Sequence, residues 1–173
     1  SFTQPDGACS LNAAFAGIDA AKGLVRDPIF YGVRGTEEGR LESMQRIQQV
    51  VSFLQSREGR DFLTQNTLTD TDTTRRLLSI SPYFSQQSLV PSENWLSQHD
   101  VEIVLSVMGY VGQYVILTRV GNSLMADVSL PSKSFSADEV TSLLTSPRII
   151  VVQTPDHFTF CGFTALFQGD PDV

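Results

Sequence analysis

The hydrophobic period changes once along this chain, and that change constrains its fold more than any other feature. In the first part apolar residues recur at helical spacing. Leu11, Ala14, Phe15 and Ile18 fall at i, i+3, i+4 and i+7, one face of a helix that starts near Cys9 and ends at Lys22-Gly23. Leu41, Met44, Ile47, Val50, Val51 and Leu54 mark a second, longer helix that ends by Gly59. Residues 27–39 and 65–74 read as loops, the latter with helix-capping character. A short helical pattern over 75–80 is stopped by Pro82. Ser97 with Asp100 predicts a capped helix along Val101, Val104, Leu105 and Met108, terminated by Gly109.

Beyond Gly109 the period shortens. Residues 114–118 and 124–128 flank Gly121-Asn122 and read as a hairpin. Ser136 with Glu139 predicts a short inserted helix ending near Ser146. Residues 149–152 form a buried strand, Pro155-Asp156 turns the chain, and 157–163 alternate as a last strand. Helices first, then strands with one helix inserted, predict an α+β domain with a small mixed or antiparallel sheet packed on helices.

Size and charge narrow the function. A chain of 173 residues buries roughly 70% of its unfolded surface, so one domain over residues 1–173 needs no staples. Twelve Lys and Arg against nineteen Asp and Glu give a net charge of −7. That excludes the basic footprint of a nucleic-acid binder. The most apolar stretch, 103–117, is too short and too interrupted by Ser106, Gly109, Gly112 and Gln113 for a membrane span. Two cysteines make no disulfide framework, so a reducing, cytosolic setting is expected. The chain begins at Ser1, which suggests a processed or excised piece.

The search for chemistry begins with metals. His157 and Cys161 would lie about 13 Å apart on one strand face, too far to share a zinc ion. No metal or cofactor is expected; phosphate-loop, dinucleotide and serine-elbow motifs are missing. Cys9 stands out because it follows a Pro-Asp-Gly-Ala turn and opens a helix. There the macrodipole lowers a thiol's pKa, and backbone N–H groups can cradle an oxyanion. The plainer reading is a small buried hydrophobe. His157 follows the Pro155-Asp156 turn, with Thr159 on the same strand face. His99, in the first turn of the capped helix, reads as helix surface. Asp6 and Asn12 read as turn or cap residues.

Three blocks, in order, carry a resemblance. Pro5-Asp6-Gly7-Ala8-Cys9-Ser10-Leu11-Asn12-Ala13-Ala14 resembles the D-G-N-C-L-F-x-A nucleophile segment of ovarian-tumour (OTU) domain cysteine proteases. Asn94-Trp95-Leu96-Ser97-Gln98-His99-Asp100-Val101-Glu102-Ile103 is similar to the family's W-G-x-x-x-E-L block, and Asp156-His157-Phe158-Thr159 to its H-Y-N or H-Y-D strand. The resemblance implies a papain-like OTU fold with the sheet packed between helices. It implies Cys9 as nucleophile, His157 as base, Asp6 shaping the oxyanion-hole loop, and Thr159 in the place of the third catalytic member. The implied activity is thiol-dependent hydrolysis of the isopeptide bond after a ubiquitin C-terminus. The implied partner is ubiquitin or polyubiquitin, the chain acting as a monomer in the cytosol, the host's if it is a bacterial or viral effector.

The chain departs from the pattern at three places. Ala8 replaces the usual Asn, Leu96 the usual Gly, and Thr159 the usual Asn or Asp. A Thr hydroxyl accepts a hydrogen bond but brings no charge to steady an imidazolium. Three other readings therefore stand beside the first. One is a papain-like protease for a viral polyprotein or a ubiquitin-like modifier. Another is a non-catalytic ubiquitin-binding module of OTU type. The last is an unrelated α+β binding domain.

Overall fold

Helix α1 (Cys9–Ala21) contributes Leu11, Ala13, Ala14, Phe15 and Ile18 to the core. The sequence suggests an amphipathic helix, but burial runs round most of it: Leu11, Ala13, Ala14, Phe15 and Ile18 are inaccessible, and Ser10, Asn12, Gly17 and Asp19 are buried as well. A helix buried on most sides needs small residues where neighbours press close, which Ala13, Ala14 and Gly17 supply. The structure, a computed structural model, describes residues 6–70, 72–120, 123–127, 133–134, 149–154 and 157–162.

The helical part is more extensive than the sequence suggests. A 3₁₀ turn, Pro28–Tyr31, and the start of α2 (Glu37–Gln55) occupy much of the expected 27–39 loop. Asp27 and Thr36 start them, their side chains accepting from the amides of Ile29 and Gly39. Helix α2 ends before Gly59, as expected, but Gly59 is not its terminator. It lies inside α3 (Arg57–Gln65), where its amide donates to the Ser56 Oγ cap at 3.0 Å. A Cβ there would lie 1.8 Å from the Phe53 carbonyl oxygen, so glycine serves close packing between α2 and α3. Helix α4 (Thr73–Gln86) runs through Pro82. Ile80 and Phe84 on either side are fully buried. Their burial, about 1.5–3 kcal/mol each, offsets the roughly 3 kcal/mol that a proline costs within a helix.

Helix α5 (Gln98–Leu105) begins with the expected capping box. Asp100 accepts from the Ser97 amide at 2.7 Å, and Ser97 Oγ from the Asp100 amide at 3.3 Å. Asp100 is fully buried and also accepts from Thr73 Oγ1 and, at 3.2 Å, from Arg76, which ties the start of α5 to the start of α4. A π-turn, Ser106–Tyr110, follows, and the chain leaves it at Gly109, whose φ of 101° suits glycine.

The domain is α+β. Among the described residues the sheet has five strands in the order β3-β2-β1-β4-β5, namely β1 (Tyr114–Val120), β2 (Ser123–Asp127), β3 (Lys133–Ser134), β4 (Ile149–Thr154) and β5 (His157–Gly162). The expected β1–β2 hairpin and the two last strands are present. The sheet is mixed, because β1 pairs parallel with β4 while the other neighbours are antiparallel. Tyr114 and Ile116 face Ile149 and Val151 in register, and all four join the helical core. Val115 and Leu117, on the alternate face, are buried too, so β1 is covered on both sides, as a strand in a parallel pair usually is. The helix expected after Ser136 and Glu139 lies outside the described residues.

Helix α1 packs against β4, β5 and α5. Its far end is held by charge. Buried Asp19 accepts from the Tyr31 hydroxyl at 2.7 Å, pairs with Arg46, and lies 3.6 Å from Arg26. Burial first, then the bond to Asp19, raises the Tyr31 phenol well above its ordinary pKa, so it remains a donor. Among the described residues no helix is long and apolar enough to cross a membrane.

Candidate active site

Cys9 is the first residue of α1, half-buried against the core. The helix N-cap is Ala8, which has no side chain able to accept from the first turn, and that turn carries no acid. The helix therefore begins at Cys9 with its amide dipoles uncompensated by a side-chain cap. Ala8 is fully buried, so an asparagine in its place would have to bury its amide.

The loop before Cys9 is built around Asp6. The carboxylate is buried. Oδ1 accepts from the Ala8 amide at 2.8 Å, Oδ2 from the Val33 amide at 2.8 Å, and Asn12 Nδ2 donates to both oxygens at 3.1 and 3.2 Å. The Asp6 carbonyl accepts from the Val90 amide at 3.1 Å. One aspartate thus fixes the loop, the first turn of α1, and strands of chain from two other segments. Because the Ala8 N–H is engaged by Asp6, it does not join the backbone donors available to an oxyanion.

Gly7 sits between these anchors with a φ of 83°. A Cβ there would meet the Val90 carbonyl oxygen at 2.4 Å and Trp95 Nε1 at 2.8 Å. Glycine is required on both counts, its left-handed backbone and the close approach of the 90–95 segment. Trp95 Nε1 donates to the Val90 carbonyl at 2.9 Å. Leu96, where the OTU pattern has glycine, is buried in the core. The first two sequence blocks of the resemblance therefore meet at Gly7.

Residues 157–159 of the third block lie on β5. His157 opens β5, paired with Thr154, and Thr159 pairs with Val152. Strand β5 packs against α1, the helix that Cys9 opens. Cys161 lies further along β5. His99 is held elsewhere: Nε2 lies 2.5 Å from the Thr69 carbonyl oxygen and Nδ1 3.4 Å from Glu102 Oε2. It clasps the loop before α4 to α5, in line with its reading as helix surface.

Asn12, which the sequence offers only as a turn or cap residue, is a structural partner of Asp6. Val33 and Val90 are supports that sequence reasoning misses altogether, and Trp95, quoted there only as part of the second block, is a third; each meets the loop from a distant segment. Among the described residues no three His, Cys, Asp or Glu side chains gather as metal donors would. A shallow groove floored by Leu54, Leu63 and Leu78 and edged by Arg60 and Asp70 includes none of the residues above.

Asp6→Ala is expected to destabilise the fold. It leaves the Ala8 and Val33 amides and the Asn12 amide group without their buried acceptor, at about 1–3 kcal/mol for each unsatisfied group. A loss of about 3 kcal/mol corresponds to a fall of roughly 6–12 °C in Tm for a chain of this size. Thermal melts of Asp6→Ala and Asp6→Asn check it. A melting temperature unchanged in Asp6→Ala would contradict the anchoring role. Comparison of the chain with models of protein families, with curated proteins and with solved structures finds no match.

Proposed function

We propose that this chain is a papain-like cysteine protease of OTU type that hydrolyses isopeptide bonds after the C-terminus of ubiquitin. The observation that carries the reading is the Asp6-anchored loop running into Cys9 at an uncapped helix start, on a helix packed against the strand that begins with His157. A nucleophile needs such a rigid seat, because a displacement of an ångström in the reacting atoms costs about a hundredfold in rate.

In this mechanism His157 takes the Cys9 thiol proton, and Sγ attacks the carbonyl carbon. Backbone N–H groups at the loop–helix junction hold the oxyanion. The C–N bond breaks as His157 returns the proton to the leaving lysine amine, which leaves a thioester on Cys9. Water, deprotonated by His157, then releases the carboxylate and restores the thiol. The chemistry requires a reduced thiol and so fits a cytosolic setting.

The test is a ubiquitin probe with an electrophilic C-terminus, run beside probes built on ubiquitin-like modifiers. A covalent adduct with ubiquitin and turnover of a fluorogenic ubiquitin C-terminal amide are expected. An adduct only with a ubiquitin-like body would move the substrate class to that modifier. Ubiquitin binding with neither adduct nor turnover would leave a non-catalytic module, the reading that Thr159 favours. Absence of binding and of adduct would refute the proposal.

A further inference from the structure

The loop before Cys9 is held by backbone from two distant segments. Val33 donates its amide to Asp6 Oδ2 at 2.8 Å, and Val90 donates its amide to the Asp6 carbonyl at 3.1 Å. Neither valine lies in a helix or strand, so no regular element fixes where these amides stand.

One side chain reaches both segments. Arg40, near the start of α2, donates from Nε to the Gly35 carbonyl at 3.3 Å and from Nη1 to the Phe84 carbonyl at 3.3 Å. Gly35 closes the turn that carries Val33, its amide donating to the Gly32 carbonyl at 2.8 Å. Phe84 is fully buried in the last turn of α4, and the chain runs on from there to Val90. The amides of Gln87 and Ser88 both donate to the Tyr83 carbonyl, so neither caps the Phe84 carbonyl. Arg40 supplies that donor from outside the helix, and its charge meets the negative end of the α4 dipole. Among the described residues no carboxylate pairs with Arg40, so its guanidinium is committed to these backbone carbonyls. A rigid planar fork that bonds two segments fixes their separation as well as their distance from α2.

We infer that Arg40 is a positioning residue for the nucleophile. It clamps the 33–35 turn to the end of α4, and so sets the two amides that hold Asp6 and the loop into Cys9. The inference rests on Cys9 as the nucleophile, since only then does the placement of this loop govern a rate.

The experiment uses the full chain with Arg40→Ala and Arg40→Lys. Ser56→Ala, which removes the α3 cap, is the control for lost stability alone. Amide hydrogen exchange followed by NMR reads the clamp without substrate. The Val33 and Val90 amides should exchange about ten- to a hundredfold faster in Arg40→Ala than in the control, the effect of two lost hydrogen bonds on local opening. With a fluorogenic ubiquitin C-terminal amide, at a temperature where melts show every variant folded, kcat should fall about ten- to a hundredfold while KM stays within about twofold. Ser56→Ala should keep the parent's kcat. Arg40→Lys keeps the charge but not the fork, and should fall between the parent and Arg40→Ala in both readouts. If Arg40→Ala does not fold, Arg40→Lys decides, and a kcat equal to the parent's overturns the inference. Faster exchange with unchanged kcat overturns it too, as does a fall in kcat that Ser56→Ala matches. If the ubiquitin probe labels Cys9 equally fast in the parent and both Arg40 variants, only this inference fails. If the parent neither reacts with the probe nor turns over the amide, the hydrolase reading fails, and the exchange rates alone decide the clamp.

Discussion

Cys9→Ala is expected to abolish both turnover of a ubiquitin C-terminal amide and capture by an electrophilic ubiquitin probe. The loss should be at least about a thousandfold, because no other group can replace the nucleophile of an acyl-transfer pair that acts as a unit. Stability should change little. Cys9 is half-buried, and its replacement by alanine removes one sulfur atom from a helix start that has no side-chain cap, a change on the order of 1 kcal/mol. The Asp6 anchors do not involve the sulfur, so the loop and ubiquitin binding should persist. Cys161 is the internal control. It is the penultimate residue of β5 and does not open a helix, whereas a thiol gains thiolate character at helix N-termini or beside cations. Labelling that moves to Cys161, or that survives in Cys9→Ala, would overturn the assignment. Intact-mass spectrometry of the probe adduct and thermal melts of both variants make the measurement.

What the sequence discloses about this protein follows the range of the signals involved. The start of α5 is legible because Ser97 and Asp100 satisfy each other's backbone within three residues. The start of α1 is legible because Pro5-Asp6-Gly7 must turn and Leu11, Ala14, Phe15 and Ile18 must share a face. Helix α3 is not legible. Its glycine and its charged surface resemble a loop, and only the close contact with Phe53 explains Gly59. Pro82 misleads for the same reason, since burial of Ile80 and Phe84 overrides a local rule. The parallel β1–β4 pair joins segments separated by a long connection, which periodicity does not register. The candidate site divides along the same line. Asp6, Cys9 and Asn12 lie within two turns of chain and can be picked out by eye, although the hydrogen bonds from Asn12 to Asp6 need coordinates. Val33, Val90 and Trp95 converge on the loop from distant segments; no spacing rule announces the first two, and the motif that includes Trp95 does not disclose its contact with Gly7.

His157→Ala is the second large effect expected. A positioned general base contributes about 10²–10⁴ in rate, so kcat should fall by that range while Tm shifts little. His99→Ala separates this from a general need for histidine. The His99 ring lies against the Thr69 carbonyl and Glu102, so its removal should loosen the loop before α4 and leave kcat near that of the parent. The reverse pattern would refute the base assignment. Thr159 then decides how well the imidazolium is supported. Thr159→Val removes at most one neutral hydrogen bond, worth about 1 kcal/mol, and should lower kcat no more than several-fold. Thr159→Asn introduces the acceptor that the OTU pattern carries at this position and should hold or raise kcat. A rise of tenfold or more, about 1.4 kcal/mol, would mean that threonine leaves the ring under-oriented and the enzyme weakened. Silence at both substitutions would mean that the ring is oriented from another segment. Asp6 is poorly suited to that task, because its carboxylate already accepts from Ala8, Val33 and Asn12, and turning it toward an imidazole would release the loop on which Cys9 depends.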